Sequence, residues 1–367
     1  MLLKNVKVLS FNVEEGIYDI LIKDGKIADI ANKIDDENSE IIDMQGMYAT
    51  SGLIDAHTHL GLKADSLGPF YADHNETESI LSPHLRAIDA INPQDITFEE
   101  ARRAGITCCG SGPGSLNVLG GQYACIKTYG DVIDEMILDP YFAMKAAFGE
   151  NPKKAYKTTR MGIASTLREF LKECKKYCEE GGEYNKSYEA MVPIIKKEKA
   201  LKIHAHRADD IATAIRICEE FDLKYTLDHV TCGADILEFL KDKKDIPFLL
   251  GPSLGARGKM ELLGKSFENV VKLAEDRDVC IITDSPVIPL QYLPVCAGIA
   301  ISKGMPYEKA LEAITINPAK VMGVENRVGS IEIGKDADIV IWKEKPLTTI
   351  QDPKYVFIDG LAVVKNE

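Results

Sequence analysis

The rhythm of hydrophobic and polar positions changes twice along the chain. Over about the first fifty residues, apolar and polar positions alternate in short runs (VKVLS, YDILIKDGKIADI, EIIDMQGMYATSG) broken by Gly and Asp-Gly turn signals, the period of half-covered strands. The last forty or so repeat the habit in GSIEIGKDADIVIW and PKYVFIDGLAVV. Between these ends the apolar runs are near-continuous: SGLIDAH, GITCCG, ACIKTYG, YFAMKAAFG, LKIHAH, KYTLDH, IPFLLGP and VCIITDS. Such runs suit strands buried on both faces. Helical periodicity separates many of them, over Phe98 to Ala104, Arg160 to Glu180, Asp210 to Phe221, Ala234 to Lys241, Asn269 to Asp276 and Pro306 to Ile314.

About eight parallel covered strands alternating with helices is the number that closes a barrel, and an open doubly wound sheet with so many regular units is less usual. The expected fold class is α/β: a (β/α)8 TIM-like barrel over residues 51–326, with a small β-sandwich built jointly from residues 1–50 and 327–367. Tyr48 to Gly52 and Asn326 to Gly329 are the expected linkers.

Composition narrows the partners. With 367 residues, 45% hydrophobic and 28% charged, the chain can bury a large core. A net charge of −13 repels nucleic acid and anionic membranes, so the expected partner is a small molecule, with no nucleic acid and no membrane. No apolar window approaches a spanning length and no signal peptide is visible at the start, which predicts a cytoplasmic protein. The nine cysteines lack CxxC spacing and read as reduced, mostly buried thiols.

Barrel enzymes carry their chemistry at the C-terminal ends of the strands. Five of the seven histidines fall there: His57 and His59 end the first run, His204 and His206 the fifth, and His229 the sixth; Asp284 ends the eighth. Residues i and i+2 of a strand share a face. Any one of these histidines alone is more commonly a hydrogen-bonded core residue. Together, dispersed imidazoles and one carboxylate make a donor set for a divalent metal with open positions.

In GLIDAHTHLG, HAHRADDI, DHVT, TDSPV, AITINPAKVMG and GSIEIGKDADIVIW, the sequence resembles the amidohydrolase superfamily, in its imidazolonepropionase-related branch, over nearly the whole chain. The resemblance implies that His57, His59 and His204 are metal ligands. His229 would be a ligand in a two-metal site, or would bond the reacting water or substrate oxygen in a one-metal site. Asp284 would be both a ligand and the proton acceptor. A bridging ligand, where relatives have one, has two candidates in AMKAAFGENPKK: Lys145 if carboxylated, or Glu150. The plain alternative packs Lys145 against the sheet and has Glu150 cap a turn.

His206 is expected to contact substrate rather than metal. Imidazolonepropionases and the purine-deaminating relatives carry a glutamate three residues after the strand-five histidine, where this chain departs with Arg207. A guanidinium cannot shuttle protons at neutral pH but suits a carboxylate. Arg160 and Arg257 are candidate second anchors, and Gln122, in the Gly-rich GSGPGSLNVLGGQ, is a further candidate contact. The remaining histidines, His74 and His84, lie in a long segment after the first barrel strand that reads as a lid or an oligomer contact.

The implied function is a metal-dependent amidohydrolase cleaving a C–N amide bond of an N-acyl amino acid, dipeptide-like or cyclic amide substrate, most simply one bearing a carboxylate. One or two Zn2+ ions are expected, and Fe, Mn or Ni would fit the same donors. The alternatives are a metal-dependent deaminase of an aminated heterocycle and a non-catalytic scaffold of the same fold. A homo-oligomer is expected by the same resemblance.

Overall fold

The computed structural model describes residues 1–36, 38–63 and 72–366. The chain ends form one sheet from β1 (Leu2–Val8), β2 (Gly16–Lys23), β3 (Lys26–Ala31), β4 (Ile41–Asp43), β5 (Tyr48–Ser51), then β14 (Ile339–Trp342), β15 (Tyr355–Ile358) and β16 (Leu361–Lys365). Its order is β16-β15-β14-β5-β1-β2-β3, with β4 also pairing β1. The Asp24-Gly25 signal forms the β2–β3 hairpin, both residues in the left-handed region (φ 50° and 73°) as a tight turn of that hand requires. The sheet folds over on itself: Ile27 N–H donates to Lys335 O (2.9 Å) and Ala337 N–H to Gly25 O (2.8 Å). Leu3, Val6, Ile20, Ile27, Ile339 and Phe357 fill the space enclosed. The expected sandwich is thus a single folded sheet.

The barrel runs through β6 (Leu53–Thr58), β7 (Ile106–Ser111), β8 (Leu119–Lys127), β9 (Ile137–Ala147), β10 (Ala200–Ala205), β11 (Tyr225–His229), β12 (Phe248–Leu250) and β13 (Val279–Ile281), paired in that order. A parallel bridge between Thr58 and Ser285 brings the last strand back to the first. All eight expected runs are strands, but they are not all parallel. β8 lies antiparallel to both β7 and β9. The reason is the connection: only residues 112–118 separate β7 from β8. A parallel crossover needs a dozen or more residues, so so short a link must turn the chain back.

Tyr48 to Gly52 is not a linker. Tyr48–Ser51 is itself a strand pairing β14 and β1. Gly52 is the one residue between β5 and β6, where a Cβ would fall 1.9 Å from Thr107 Oγ1.

The helices follow their sequence signals closely. Arg160–Glu180 starts where Thr159 accepts from Gly162 N–H and stops at Gly181, φ 75°. Its apolar stripe, including Ile163, Leu167 and Leu171, is buried in the core around the barrel. All nine cysteines are free thiols, seven of them buried.

Candidate metal centre and active site

Every barrel strand but β8 presents its C-terminal end to one mouth, and the titratable residues of β6, β9, β10, β11 and the turn after β13 converge inside it. The first strand is pinned there by Asp55. Its carboxylate accepts the His57 N–H (2.9 Å), the Thr283 N–H (2.8 Å) and the Thr283 hydroxyl (2.6 Å). Burial nevertheless pushes the Asp55 carboxyl up to about 7.

The histidines are held by one ring nitrogen each, leaving the other to face inward. His57 Nδ1 lies 2.8 Å from Asp228 Oδ2. His59 Nδ1 lies 2.7 Å from Gly112 O, and His229 Nδ1 lies 2.6 Å from Gly251 O. A carbonyl can only accept, so His59 and His229 carry the proton on Nδ1 and turn a lone pair at Nε2 to the site. Both His57 Nε2 and His59 Nε2 point at Asp284 Oδ1, at 3.3 and 3.2 Å. The Nε2 atoms of His204 and His229 are buried and, among the described residues, have no partner. Buried nitrogens without a partner are rare, and two in one cluster with carboxylate-steered imidazoles fit a divalent cation. The donor atoms of His57, His229 and Asp284 lie within 4.8 Å of one another, as do those of His204, His206 and His229.

Burial pushes these rings toward their neutral, ligating form: His229 down to about 3, His204 and His206 well below the ordinary value, and His57 also down. Burial would raise the Asp284 carboxyl, but His57, His59 and His229 beside it hold it well below the usual range. Two site residues sit in the left-handed region that side chains avoid, His229 at φ 72° and Asp284 at φ 56°. Such strain costs about 1–3 kcal/mol per residue and clusters where function requires it.

Lys145 is fully buried, its Nζ 3.4 Å from His57 Nε2 and 3.7 Å from Asp228 Oδ2. Burial lowers its pKa to about 8. Glu150 is elsewhere occupied: its carboxylate accepts the Glu261 N–H (3.1 Å) while its own N–H donates to Glu261 Oε2 (2.8 Å). Of the two candidates, only Lys145 touches the histidine cluster.

The expected substrate contacts divide. His206 is in the cluster, its Nδ1 2.7 Å from Thr231 Oγ1 and its ring stacked on His229 at 4.6 Å. Arg207 is half exposed and forks onto Asp209 (2.8 and 2.9 Å) at the start of the following helix, because the two side chains share that helix's first turn. Arg160 Nε is bound by both Asp210 oxygens at 3.0 Å, and Arg257 donates to Lys265 O at 2.9 Å. Gln122 is engaged through its backbone, its N–H donating to Leu85 O (2.8 Å).

Sequence reasoning passed over Asp228, Lys202, Tyr123 and His74. Asp228 receives Lys202 Nζ at 3.0–3.1 Å besides His57. Burial would raise this carboxyl, but Lys202, His57 and Lys145 hold it well below the usual range. Tyr123 lies beneath both lysines, its ring centroid 5.6 Å from Lys145 Nζ and 5.4 Å from Lys202 Nζ. A charge in an otherwise apolar strand run, two residues before His204, was the available signal for Lys202. His74 brings its ring 5.3 Å from that of His59, and its Nδ1 is buried with no partner among the described residues. Of the segment that delivers it, residues 64–71 lie outside the described residues; further along the same segment His84 Nδ1 lies 3.2 Å from Ser187 Oγ.

Fold and site together define a barrel hydrolase built around a metal-type cluster, and the family model for the amidohydrolase family matches residues 48–363. The chain belongs to that family. It is 37% identical to an amidohydrolase from Thermotoga maritima MSB8 of known structure, with a TM-score of 0.95 and full coverage of both chains. It is 25% identical to the imidazolonepropionase of Thermoplasma volcanium, over 88% of this chain and 83% of that one. It is also 26% identical to the amidohydrolase tasK of Hapsidospora irregularis, over 94% of this chain but only 39% of the longer relative.

Proposed function

We propose that this protein is a metal-dependent hydrolase that adds water across a C–N amide bond of a small molecule, releasing a carboxylic acid and an amine. The observation that carries this reading is the pair of partnerless buried Nε2 atoms, on His204 and His229, beside Asp284 and the steered His57 and His59. These five residues would hold one or two divalent ions, zinc by its preference for imidazole and carboxylate. Such an ion supplies Lewis acidity, polarising the carbonyl and favouring hydroxide at neutral pH.

The chain's own groups do the rest. Asp284, kept ionised, takes the proton of the attacking water and passes it to the leaving nitrogen. His229 holds its free nitrogen toward the reacting centre because Gly251 O fixes the other. Lys145, with a pKa near 8, has a share of neutral amine at neutral pH, the form that can carry a bridging carboxylate. Arg207, paired with Asp209, offers no proton shuttle for ring deamination.

The test is a hydrolysis screen of the metal-loaded protein across N-acyl amino acids, dipeptides and lactams, reading released amine or new carboxylate. His57→Ala, His204→Ala and Asp284→Ala are expected to abolish both metal retention and turnover. Ammonia release from aminated heterocycles, with no amine from any amide, would sink the amide reading in favour of a deaminase.

A further inference from the structure

Arg207, Arg160 and Arg257 are the cations near the mouth that composition suggests, and the first two are already neutralised by aspartates. Lys265 is different. It ends the loop between β12 and the helix Phe267–Ala274, and it is buried, only 6% exposed. An ammonium has three donors. Among the described residues, this one has a single long acceptor, Ala256 O at 3.4 Å, and no carboxylate partner. A buried charge this poorly satisfied costs stability unless something compensates it.

Its surroundings indicate what could. Lys265 lines a cavity of about 10 Å3 together with His229, Thr231, Gly251, Pro252 and Ser253. That space suits one oxygen atom or one water. The same cavity therefore has a buried cation on one wall and the strand-six histidine on another. Burial lowers the proton affinity of Lys265 and Arg257 pushes the same way, while the Asp284 charge opposes them, so the ammonium lies within the field of the proposed reacting centre. A second ammonium from the same loop, Lys259, is already held by Asn151 Oδ1 at 2.7 Å and lies 3.6 Å from Glu261.

We propose that Lys265 anchors a substrate carboxylate, placing one of its oxygens in the cavity beside His229, and so selects amides that carry the acid within a few bonds of the scissile nitrogen. The classes this fits are N-acyl-α-amino acids and dipeptides with a free C-terminus. The inference rests on the histidine and aspartate cluster being the reacting centre. It moves the anion contact from Arg207 after β10, where the sequence suggested it, to the loop after β12, two strands further along the barrel.

The test is calorimetric binding to the full-length, metal-loaded protein of matched pairs: N-acetyl-L-alanine and Ala-Pro, each against its C-terminal amide. Wild type is expected to bind at least one acid tenfold or more tightly than its amide. Lys265→Met should erase that difference while leaving amide binding within about twofold. Its melting temperature should equal or exceed that of wild type, since an under-satisfied buried charge has gone. Arg207→Ala should keep the discrimination. If Lys265→Met does not fold, Lys265→Gln carries the same comparison, and failure of both to fold overturns the proposal by making the residue structural. So does the absence of acid preference in wild type, or its persistence in Lys265→Met. Acid preference without any amine release would leave Lys265 assigned and sink the hydrolytic reading; amine release without acid preference would do the reverse.

Discussion

His57 Nδ1 and Asp228 Oδ2 stand 2.8 Å apart with both side chains buried, and this contact sets the direction of the ring whose other nitrogen faces Asp284. The carboxylate also balances the buried charges of Lys202 and Lys145. Asp228 therefore acts in two ways, as a steering group for a metal-type histidine and as the counter-charge of the barrel interior.

Asp228→Asn removes both. Metal affinity is expected to fall about 10- to 100-fold, as it does when such a steering group is lost. Stability should drop by about 3–5 kcal/mol, the cost of leaving buried cations unpaired. Competition with a chromogenic chelator and urea unfolding would measure the two effects separately.

The bridging position is decided by substituting each candidate. Lys145→Met is expected to lower bound metal per chain, because its amine lies 3.4 Å from His57 Nε2 in the proposed centre. Glu150→Gln should leave metal content unchanged, since that carboxylate is spent on the Glu261 backbone. Elemental analysis of both variants after dialysis distinguishes them; equal losses would contradict the assignment.

Stability should fall on mild acidification. In the native state the rings of His57, His204, His206 and His229 have pKa values below the ordinary 6.5, that of His229 about 3. The unfolded chain therefore takes up protons first as pH drops. Each such ring contributes stability that is present above about pH 6.5 and is lost toward its folded pKa, at up to about 1.4 kcal/mol per pH unit. Urea midpoints of metal-free protein between pH 7.5 and 5 should decline steadily, and a flat profile would contradict neutral buried rings.

Arg207→Ala should be nearly silent. Its partner Asp209 is exposed, and exposed pairs contribute about 0–1 kcal/mol. Turnover within twofold of wild type and an unchanged melting temperature are expected, whereas a large rise in KM would return the anion contact to this residue.

Gly251→Ala should be severe. Gly251 has φ 142°, and a Cβ there would meet Ile282 O at 2.1 Å, a backbone atom that cannot step aside. Its carbonyl also fixes His229. A loss above about 3 kcal/mol is expected from the strain and displacement together. Retention of wild-type stability would show that the strand end yields more readily than its packing indicates.

Much of this site was legible in the chain because strands translate sequence spacing into shared faces. His57 with His59 and His204 with His206 needed only their two-residue spacing and an apolar run before them to be placed at strand ends. The direction of β8 was not legible in its own residues, since apolar runs look alike in either direction; it followed from the length of the link before it. Arg207 misled because its chemistry suited a carboxylate, but Asp209, two residues on, is the one it reaches. His74 could not be assigned at all, as it arrives from a segment without periodicity, by a contact that only the folded barrel creates.

The reversal of β8 also reaches beyond the mouth. The strand carries Tyr123 beneath the site and ends at the opposite rim with Lys127, buried and bonded to Asp336 (2.8 Å), Asp338 (3.0 Å) and Asp359 (2.5 Å) from the folded sheet of the chain ends. The barrel is thus not a module that can be excised or regrafted. Cutting away the terminal segments would strand a buried ammonium at its base, on the same strand that floors the chemistry, so the two sheets are expected to melt as one unit.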